Sequence, residues 1–304
     1  MPYDQYNFES VYTENLPENR ELVGQDVKCL QKTRTTKSGE MIEIQAFPSF
    51  FNRSDYSRVR KIRPSTAEQR NLNEKNARRK VIRKINANFT RNDLWGTFGW
   101  DNERQPPTED EAYRECVNFV DRVNYSRKKA GISNMKYMFT IESTAGKTEK
   151  GEPPVKFHMH IVMDGMFSRD SIEQLWNGGE YPQTRRLQIK DFGGLTGLAT
   201  YISKNPNGKK RWRQSKGLKK WSQKPTESYS RFSKAKIKKI VEMVRNNDSL
   251  KDVFERTYAG YAYSEQFPCE VKYNETIGGY YIYCRMYKKR FCSDAPQRQI
   301  LNNR

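Results

Sequence analysis

The sequence predicts an α+β protein built around an antiparallel sheet. From Leu94 onwards, the spacing of apolar residues predicts elements in the order strand, helix, strand, strand, helix, strand, helix. The second and third of these strands are separated only by a polar turn, which indicates antiparallel pairing and argues against a doubly wound parallel sheet. This order is typical of a ferredoxin-like open sheet backed by helices.

Residues 1–64 show few clear periods, and we treat them as an N-terminal extension of undefined role. Within this region, MIEIQAFPSFF (41–51) predicts a strand followed by a turn at Pro48. No motif in the region indicates a function.

The first predicted helix begins after Pro64. Ser65 and Glu68 have the spacing of a capping box, and residues 66–89 lack Gly and Pro while apolar residues recur sparsely on a helical period. The helix is very basic. Its charged face is either an ordinary solvated surface or a surface that follows a phosphate backbone.

The predicted sheet lies between this helix and Pro206. LWGTFGW (94–100) has the bulk of a buried strand. The next helix has acidic residues after Thr108 and basic residues before Gly131, which are start and stop signals that also suit the helix dipole. The remaining elements are strands at 135–143 and 155–165, a helix at 168–179 with a Ser168 cap, a strand at 184–192 and a helix at 195–205.

The composition changes from Asn207, where the chain becomes basic with interleaved aromatic residues. Lysine and arginine neutralise phosphates and aromatic rings stack on unpaired bases, so this stretch is a candidate nucleic-acid contact. An equally weighted alternative is a linker whose aromatic residues pack onto the domain. A helix at 234–245 and a pair of Tyr-rich strands follow. The candidate contact residues are Lys209, Lys210, Arg211, Trp212, Arg213, Lys219, Lys220 and Trp221.

The overall charge also favours a nucleic-acid partner over a merely solvated basic surface. Lys and Arg number 56 against 36 Asp and Glu, which leaves a net charge of +20. The five cysteines are scattered without a CxxC pair, which predicts reduced thiols rather than disulfides or a structural zinc site. No apolar run is long enough to span a bilayer, and no secretory signal is evident. We therefore expect a cytoplasmic protein with no membrane partner.

The only two histidines of the chain, His158 and His160, are two residues apart in KFHMHIVMDG. On a strand they project from the same face, while the apolar residues between and around them project from the other. Glu142, on the preceding predicted strand, reaches the same face if the two strands pair. Two imidazoles and one carboxylate favour magnesium or manganese in phosphoryl chemistry, with zinc as an alternative from the histidines alone.

Tyr201 and Lys204 are three residues apart on the last predicted helix, and hence on one of its faces. A tyrosine on a helix is usually a core residue. It can also attack a phosphodiester and retain the cut strand as a phosphotyrosine, with a lysine nearby to stabilise the developing charge.

These motifs resemble those of HUH endonucleases. FHMHIVMDG resembles their His-hydrophobe-His strand, YISK resembles their Tyr-x-x-Lys helix, and LWGTFGW lies where these proteins have their first motif. The histidines precede the tyrosine, as in replication initiator (Rep) proteins and unlike relaxases. Residues 71–206 resemble the single-tyrosine rolling-circle Reps of bacterial plasmids and filamentous phages.

The resemblance implies an HUH endonuclease domain at 65–206, between the extension at 1–64 and a basic, aromatic region at 207–304. It implies a metal-dependent enzyme that nicks and rejoins single-stranded origin DNA through a 5′-phosphotyrosine and leaves a 3′-OH for a polymerase. Because GKT at 146–148 lacks the rest of a phosphate-binding loop, we expect strand separation to need a host helicase. A non-catalytic origin- or RNA-binding protein and an HUH transposase remain alternatives.

Overall fold

The computed structural model describes residues 29–50, 66–145, 155–179, 182–189, 194–203, 212–265, 267–274 and 279–289. Within these ranges the chain forms two antiparallel sheets and six α-helices, which confirms the predicted α+β class. None of the described helices combines the length and apolarity needed to cross a membrane.

The strands are β1 (Cys29–Ser38), β2 (Met41–Phe50), β3 (Leu94–Gly99), β4 (Tyr137–Ala145), β5 (Val155–Met163), β6 (Gln183–Arg186), β7 (Arg213–Gln214), β8 (Thr226–Ser228), β9 (Tyr261–Tyr263), β10 (Glu270–Asn274) and β11 (Gly279–Lys288). The helices are α1 (Thr66–Asn88), α2 (Glu109–Lys129), α3 (Arg169–Gln174), α4 (Thr196–Ile202), α5 (Lys234–Arg245) and α6 (Lys251–Thr257).

The first sheet has five strands in the order β6-β3-β5-β4-β7, and each neighbouring pair is antiparallel. Its elements follow one another along the chain as β3, α2, β4, β5, α3, β6 and α4, the order predicted from the sequence. The arrangement is compatible with the predicted open sheet backed by helices. The strand that carries the histidines, β5, is central. The finer assignment to the HUH endonuclease fold stays a prediction.

Helix α2 begins and ends where its local signals predict. The Thr108 side chain accepts a hydrogen bond from the backbone N–H of Glu111, acidic residues occupy the first turn, and basic residues occupy the last. Together with α3, this helix covers one face of the five-stranded sheet. The apolar core between them includes Phe98, Phe119, Phe139, Met159, Ile161 and Trp176.

Helices α1 and α4 cover the opposite face of this sheet, but only at one of its ends. Trp95, Met138 and Val162 from the sheet pack there in one apolar cluster with residues of both helices. At the other end of the face, His158 and Glu142 are only half-buried. Helix α4 therefore lies on the histidine face of the sheet, beside the part that solvent reaches.

A buried ion pair holds the C-terminal end of the histidine strand. Asp164, which follows β5, accepts a hydrogen bond from Arg127 Nη1 at 2.7 Å and one from the Lys136 backbone N–H at 2.6 Å. The Arg127 side chain is fully buried. A buried pair is costly to break because the remaining charge is left uncompensated, so this contact holds β5 firmly against α2 and the start of β4.

The second sheet combines strands from distant parts of the chain. Its order is β10-β11-β2-β1-β8, and β9 also pairs with β11. Helices α5 and α6 pack on one of its faces. Helix α5 and the β10–β11 pair match the sequence prediction. The sheet as a whole was not predicted, and it joins residues assigned above to the separate regions 1–64 and 207–304. Those domain boundaries stay a prediction.

The two sheets meet through the cluster that α1 and α4 form. Met41 of β2 and Tyr287 of β11 belong to the same apolar cluster as Trp95 of the first sheet. The hydroxyl of Tyr287 lies 2.5 Å from Thr196 Oγ1 at the start of α4. The position of α4 therefore depends on a strand from the C-terminal part of the chain.

Several predicted boundaries are wrong, among them that of the helix predicted at 168–179, which is α3 and ends at Gln174. Strand β2 continues through Pro48 to Phe50, because Pro48 pairs with Gln31 on β1 and lies outside the Met41–Ala46 stretch that pairs with β11. A proline is tolerated where one side of a strand needs no ladder hydrogen bond. Of the strand predicted at 184–192, the described part (184–189) is in strand conformation only as far as Arg186, within Gln183–Arg186.

Candidate active site

The register of three strands places the predicted metal ligands on one face. On β5, His158 pairs with Gly99 of β3 and Glu142 of β4. His160 is two residues further along β5. Because cross-strand partners project from the same face, Glu142 and both histidines lie on the side of the sheet that carries α4.

Three polar groups of this face are in mutual contact. His160 Nε2 lies 3.1 Å from Glu142 Oε2 and 3.1 Å from the Tyr201 hydroxyl. The Tyr201 hydroxyl also donates a hydrogen bond to Glu142 Oε2. The structure thus brings together residues from β4, β5 and α4, and the tyrosine lies 41 positions after the histidine in the sequence.

Two residues of β3 hold His160, and neither was among the site residues predicted from the sequence. The Trp95 ring stacks on the His160 ring with centroids 5.6 Å apart and an interplanar angle of 15°. It also meets Tyr201 edge-on at 5.9 Å. Thr97 Oγ1 lies 3.4 Å from His160 Nδ1. With Nδ1 towards Thr97, the other ring nitrogen faces Glu142 and Tyr201, which orients the imidazole.

The signal for these residues was present in LWGTFGW. Trp95, Thr97 and Gly99 alternate along β3 and therefore share one face. The sequence did not predict the register of β3 against β5, which places this face of β3 beside the histidines.

The surroundings of Tyr201 make its phenol a weak acid. Burial and the hydrogen bond to the Glu142 carboxylate raise the pKa of Tyr201 to about 12. At neutral pH the phenol therefore keeps its proton. Glu142 already accepts a hydrogen bond from this phenol.

The predicted metal ligands are partly assembled. Among the described residues, no group of three or more His, Cys, Asp or Glu side chains stands close enough to share an ion. Glu142 and His160 are in contact, and the His158 ring lies beside them with its centroid 6.5 Å from that of His160. The 3.1 Å between Glu142 Oε2 and His160 Nε2 is a hydrogen-bond distance. The donor types, two imidazoles and one carboxylate, fit a divalent cation.

The predicted nucleic-acid contacts divide into four groups. Lys209, Lys210 and Arg211 lie outside the described residues, as does Lys204, which was predicted as a catalytic residue. Arg213 donates to the Tyr113 hydroxyl of α2 at 2.9 Å, so its guanidinium is engaged away from the histidine face. Trp212 packs against the cluster that contains Trp95, and Trp221 is half-buried. Lys219 and Lys220 are exposed.

Comparisons with protein-family models, with curated proteins and with solved structures give no match for this chain. The resemblance to HUH endonucleases therefore rests on the motifs and on the contacts between His160, Glu142 and Tyr201.

Proposed function

We propose that this protein is a rolling-circle replication initiator that nicks and rejoins single-stranded origin DNA as an HUH endonuclease. The observation that supports the proposal is the contact of the Tyr201 hydroxyl with both His160 and Glu142. A core tyrosine does not require two ionisable partners, whereas a nucleophile requires a proton acceptor and a site for the phosphate.

The chemistry follows from the positions of these side chains. The Tyr201 oxygen forms a bond to the scissile phosphorus while the bond from phosphorus to the 3′ oxygen breaks. The phenolic proton passes to Glu142, which already accepts the hydrogen bond, and the departing 3′ oxygen takes a proton from water. The product is a 5′-phosphotyrosine and a free 3′-OH, and the reverse reaction rejoins the strand.

A divalent cation suits this reaction because the scissile phosphate is negative. His158, His160 and Glu142 would hold magnesium or manganese, which when bound polarises the phosphate for attack. Trp95 and Thr97 contribute by holding the His160 ring in one orientation. We place Lys204 in the same proposal as a residue that stabilises charge near the phosphate.

The proposal implies further partners and a location. The 3′-OH would be extended by a host polymerase, and a host helicase would separate the strands. The protein would act in the cytoplasm, where the replicating element and these host enzymes are present.

The direct test uses labelled single-stranded oligonucleotides that are tiled across the DNA flanking the gene. The protein is incubated with each oligonucleotide and manganese or magnesium, and the products are separated on a denaturing protein gel. We expect one oligonucleotide to give a covalent protein–DNA band and a 3′-OH fragment that a polymerase extends. Binding of the oligonucleotides without any adduct would contradict the proposal and favour the non-catalytic alternative.

Gly99→Ala is expected to reduce adduct formation by about 10- to 100-fold without unfolding the protein. A Cβ at this position would come within 3.2 Å of His158 Cδ2, so the imidazole must shift by a few tenths of an ångström. A misplacement of a catalytic group by about 1 Å can cost about 10²-fold in rate, which sets the upper end of this range. The rate is measured by the gel assay, and the fold by circular dichroism.

The matched control is Gly197→Ala on α4, where a Cβ meets nothing within 4 Å. This variant should keep the wild-type rate. An unchanged rate in Gly99→Ala would show that the position of His158 does not matter for cleavage.

A further inference from the structure

Three lysines converge between α1 and the segment that follows β7. Lys80 and Lys84 are one turn apart on α1 and therefore share a face. Lys84 is buried, with 8% of its surface exposed, and its Nζ donates to Gln214 Oε1 at 2.7 Å. Burial, together with the positive charges of Lys80 and Lys220, holds the pKa of the Lys84 ammonium below its usual value. We call Lys80, Lys84 and Lys220 the lysine cluster.

The lysine cluster has no compensating carboxylate in the described part of the chain, where none of its members forms an ion pair. Lysine is almost never buried unless it is paired, and like charges brought together destabilise the folded state. An anionic ligand would remove both costs. Such an arrangement indicates a binding site for phosphate groups rather than a solvated surface.

Two indole rings accompany the lysine cluster. Trp212 Nε1 lies 3.4 Å from Gln214 Oε1, the same oxygen that accepts the hydrogen bond from Lys84. Lys220 Nζ lies 4.3 Å from the centroid of the Trp221 ring. Lysines that neutralise phosphates and aromatic rings that stack on bases are together the features of single-strand binding sites.

The segment that carries Lys220 is anchored on both sides. Asn88, at the end of α1, donates to the Lys219 carbonyl at 2.7 Å and accepts from the Lys219 N–H at 2.9 Å. The Ser222 N–H donates to the Lys37 carbonyl in the second sheet at 3.0 Å. Lys220 and Trp221 are therefore held in place before any ligand binds, which lowers the cost of binding.

The lysine cluster lies beside the candidate active site. Gln214 on β7 pairs with Met138 on β4, and Glu142 is four residues further along that strand, or about 13 Å. Met138 packs in the apolar cluster under α4, which carries Tyr201. A strand that lies over the lysine cluster can therefore extend to the Tyr201 hydroxyl.

We propose that the lysine cluster, with Trp212 and Trp221, binds the backbone and bases of single-stranded DNA next to the position where Tyr201 cuts. The inference rests on the proposed function for the identity of the strand. The proposed site adds Lys80 and Lys84 of α1 to the candidate nucleic-acid surface. It combines these two lysines with the segment after β7 in one site.

The test is equilibrium binding of the full chain to a short fluorescein-labelled single-stranded DNA, measured by anisotropy over a range of salt. The triple variant Lys80→Gln/Lys84→Gln/Lys220→Gln should reduce the magnitude of the slope of log K against log salt by about two. Each lost phosphate contact accounts for about 0.7 of that slope. The reduction by about two corresponds to roughly 100-fold weaker binding at about 0.1 M salt. Trp221→Leu should weaken binding about tenfold, as expected for one lost stacking partner.

A control with the same change in charge is Lys128→Gln/Lys238→Gln/Lys239→Gln, which removes exposed lysines from α2 and α5. Its slope should stay close to that of the wild type. An equal loss in both triple variants would overturn the proposal, because it would reflect net charge alone. Since Lys84 is buried, the exposed pair Lys80→Gln/Lys220→Gln is measured as well, with an expected loss of about 25-fold.

Duplex DNA and RNA of the same sequence distinguish the ligand. We expect the lysine-cluster variants to lose single-stranded DNA binding more strongly than duplex binding. An equal loss for the duplex, or tighter binding of RNA than of DNA by the wild type, would contradict the assignment. These experiments need no metal and no cleavage, so a wild type that forms no adduct contradicts the proposed function without affecting this result.

Discussion

Replacing Tyr201 with phenylalanine is expected to abolish both strand cleavage and the covalent adduct while origin binding stays intact. The change removes only the hydroxyl, so the ring still packs edge-on against Trp95. It takes away the only atom that can bond to phosphorus. We expect a loss of about 10⁴-fold or more, the order observed when an enzyme loses its nucleophile.

The measurement is the denaturing gel assay for the adduct, with anisotropy for binding. Tyr125→Phe is a suitable control, because Tyr125 is 61% exposed and lies on α2, across the sheet from the histidines. It should cut like the wild type. An adduct that persists in Tyr201→Phe, mapped by peptide mass spectrometry to another tyrosine, would move the active site elsewhere.

Replacing His160 with alanine is expected to reduce cleavage by at least about 10²- to 10³-fold, the range for removing one electrostatic group at a reacting phosphate or carbonyl. His160 is the residue in contact with both Glu142 and Tyr201. DNA affinity should change little, because it comes mainly from lysine and arginine contacts with phosphates. His158→Ala should have a similar effect if both imidazoles hold the cation.

Chelation separates a role in metal binding from a role in positioning. EDTA should stop cleavage by the wild type, and added manganese should restore it. His160→Gln, which keeps a polar side chain against Trp95, controls for loss of packing and is compared by thermal denaturation. Cleavage of DNA in EDTA by a variant that lacks both histidines would refute the metal site.

Local signals in the sequence were sufficient for several elements. The capping residue and charge pattern of α2 predicted its ends, and the alternation in KFHMHIVMDG predicted which face of β5 carries the histidines. These features depend on neighbouring residues only. The second sheet could not be predicted in this way, because Tyr283 and Glu43, which are hydrogen-bonded across it, are 240 positions apart.

In the candidate site, too, some contacts follow from local sequence signals and others do not. Pairing of β4 with β5 across their turn was the condition under which Glu142 reaches the histidine face, and the two strands do pair, with Glu142 opposite His158. The contact between Glu142 and Tyr201 depends on how α4 lies on the sheet. The stacking of Trp95 on His160 depends on the register of a third strand. The periodicity of a single segment predicts neither the position of α4 on the sheet nor the register of the third strand.

The contact between Thr196 and Tyr287 has a consequence for the order of events during synthesis. Strand β6 leaves the ribosome well before β11, at a translation speed of about 5–20 residues per second. Until β11 adds Tyr287, the start of α4 lacks its hydrogen-bonded partner and the helix that carries Tyr201 is incompletely supported. A nascent chain would therefore already have its histidine strand paired while its tyrosine is still loosely held. Under the proposed function, nicking competence would appear only seconds later, once the final strand has joined the sheet.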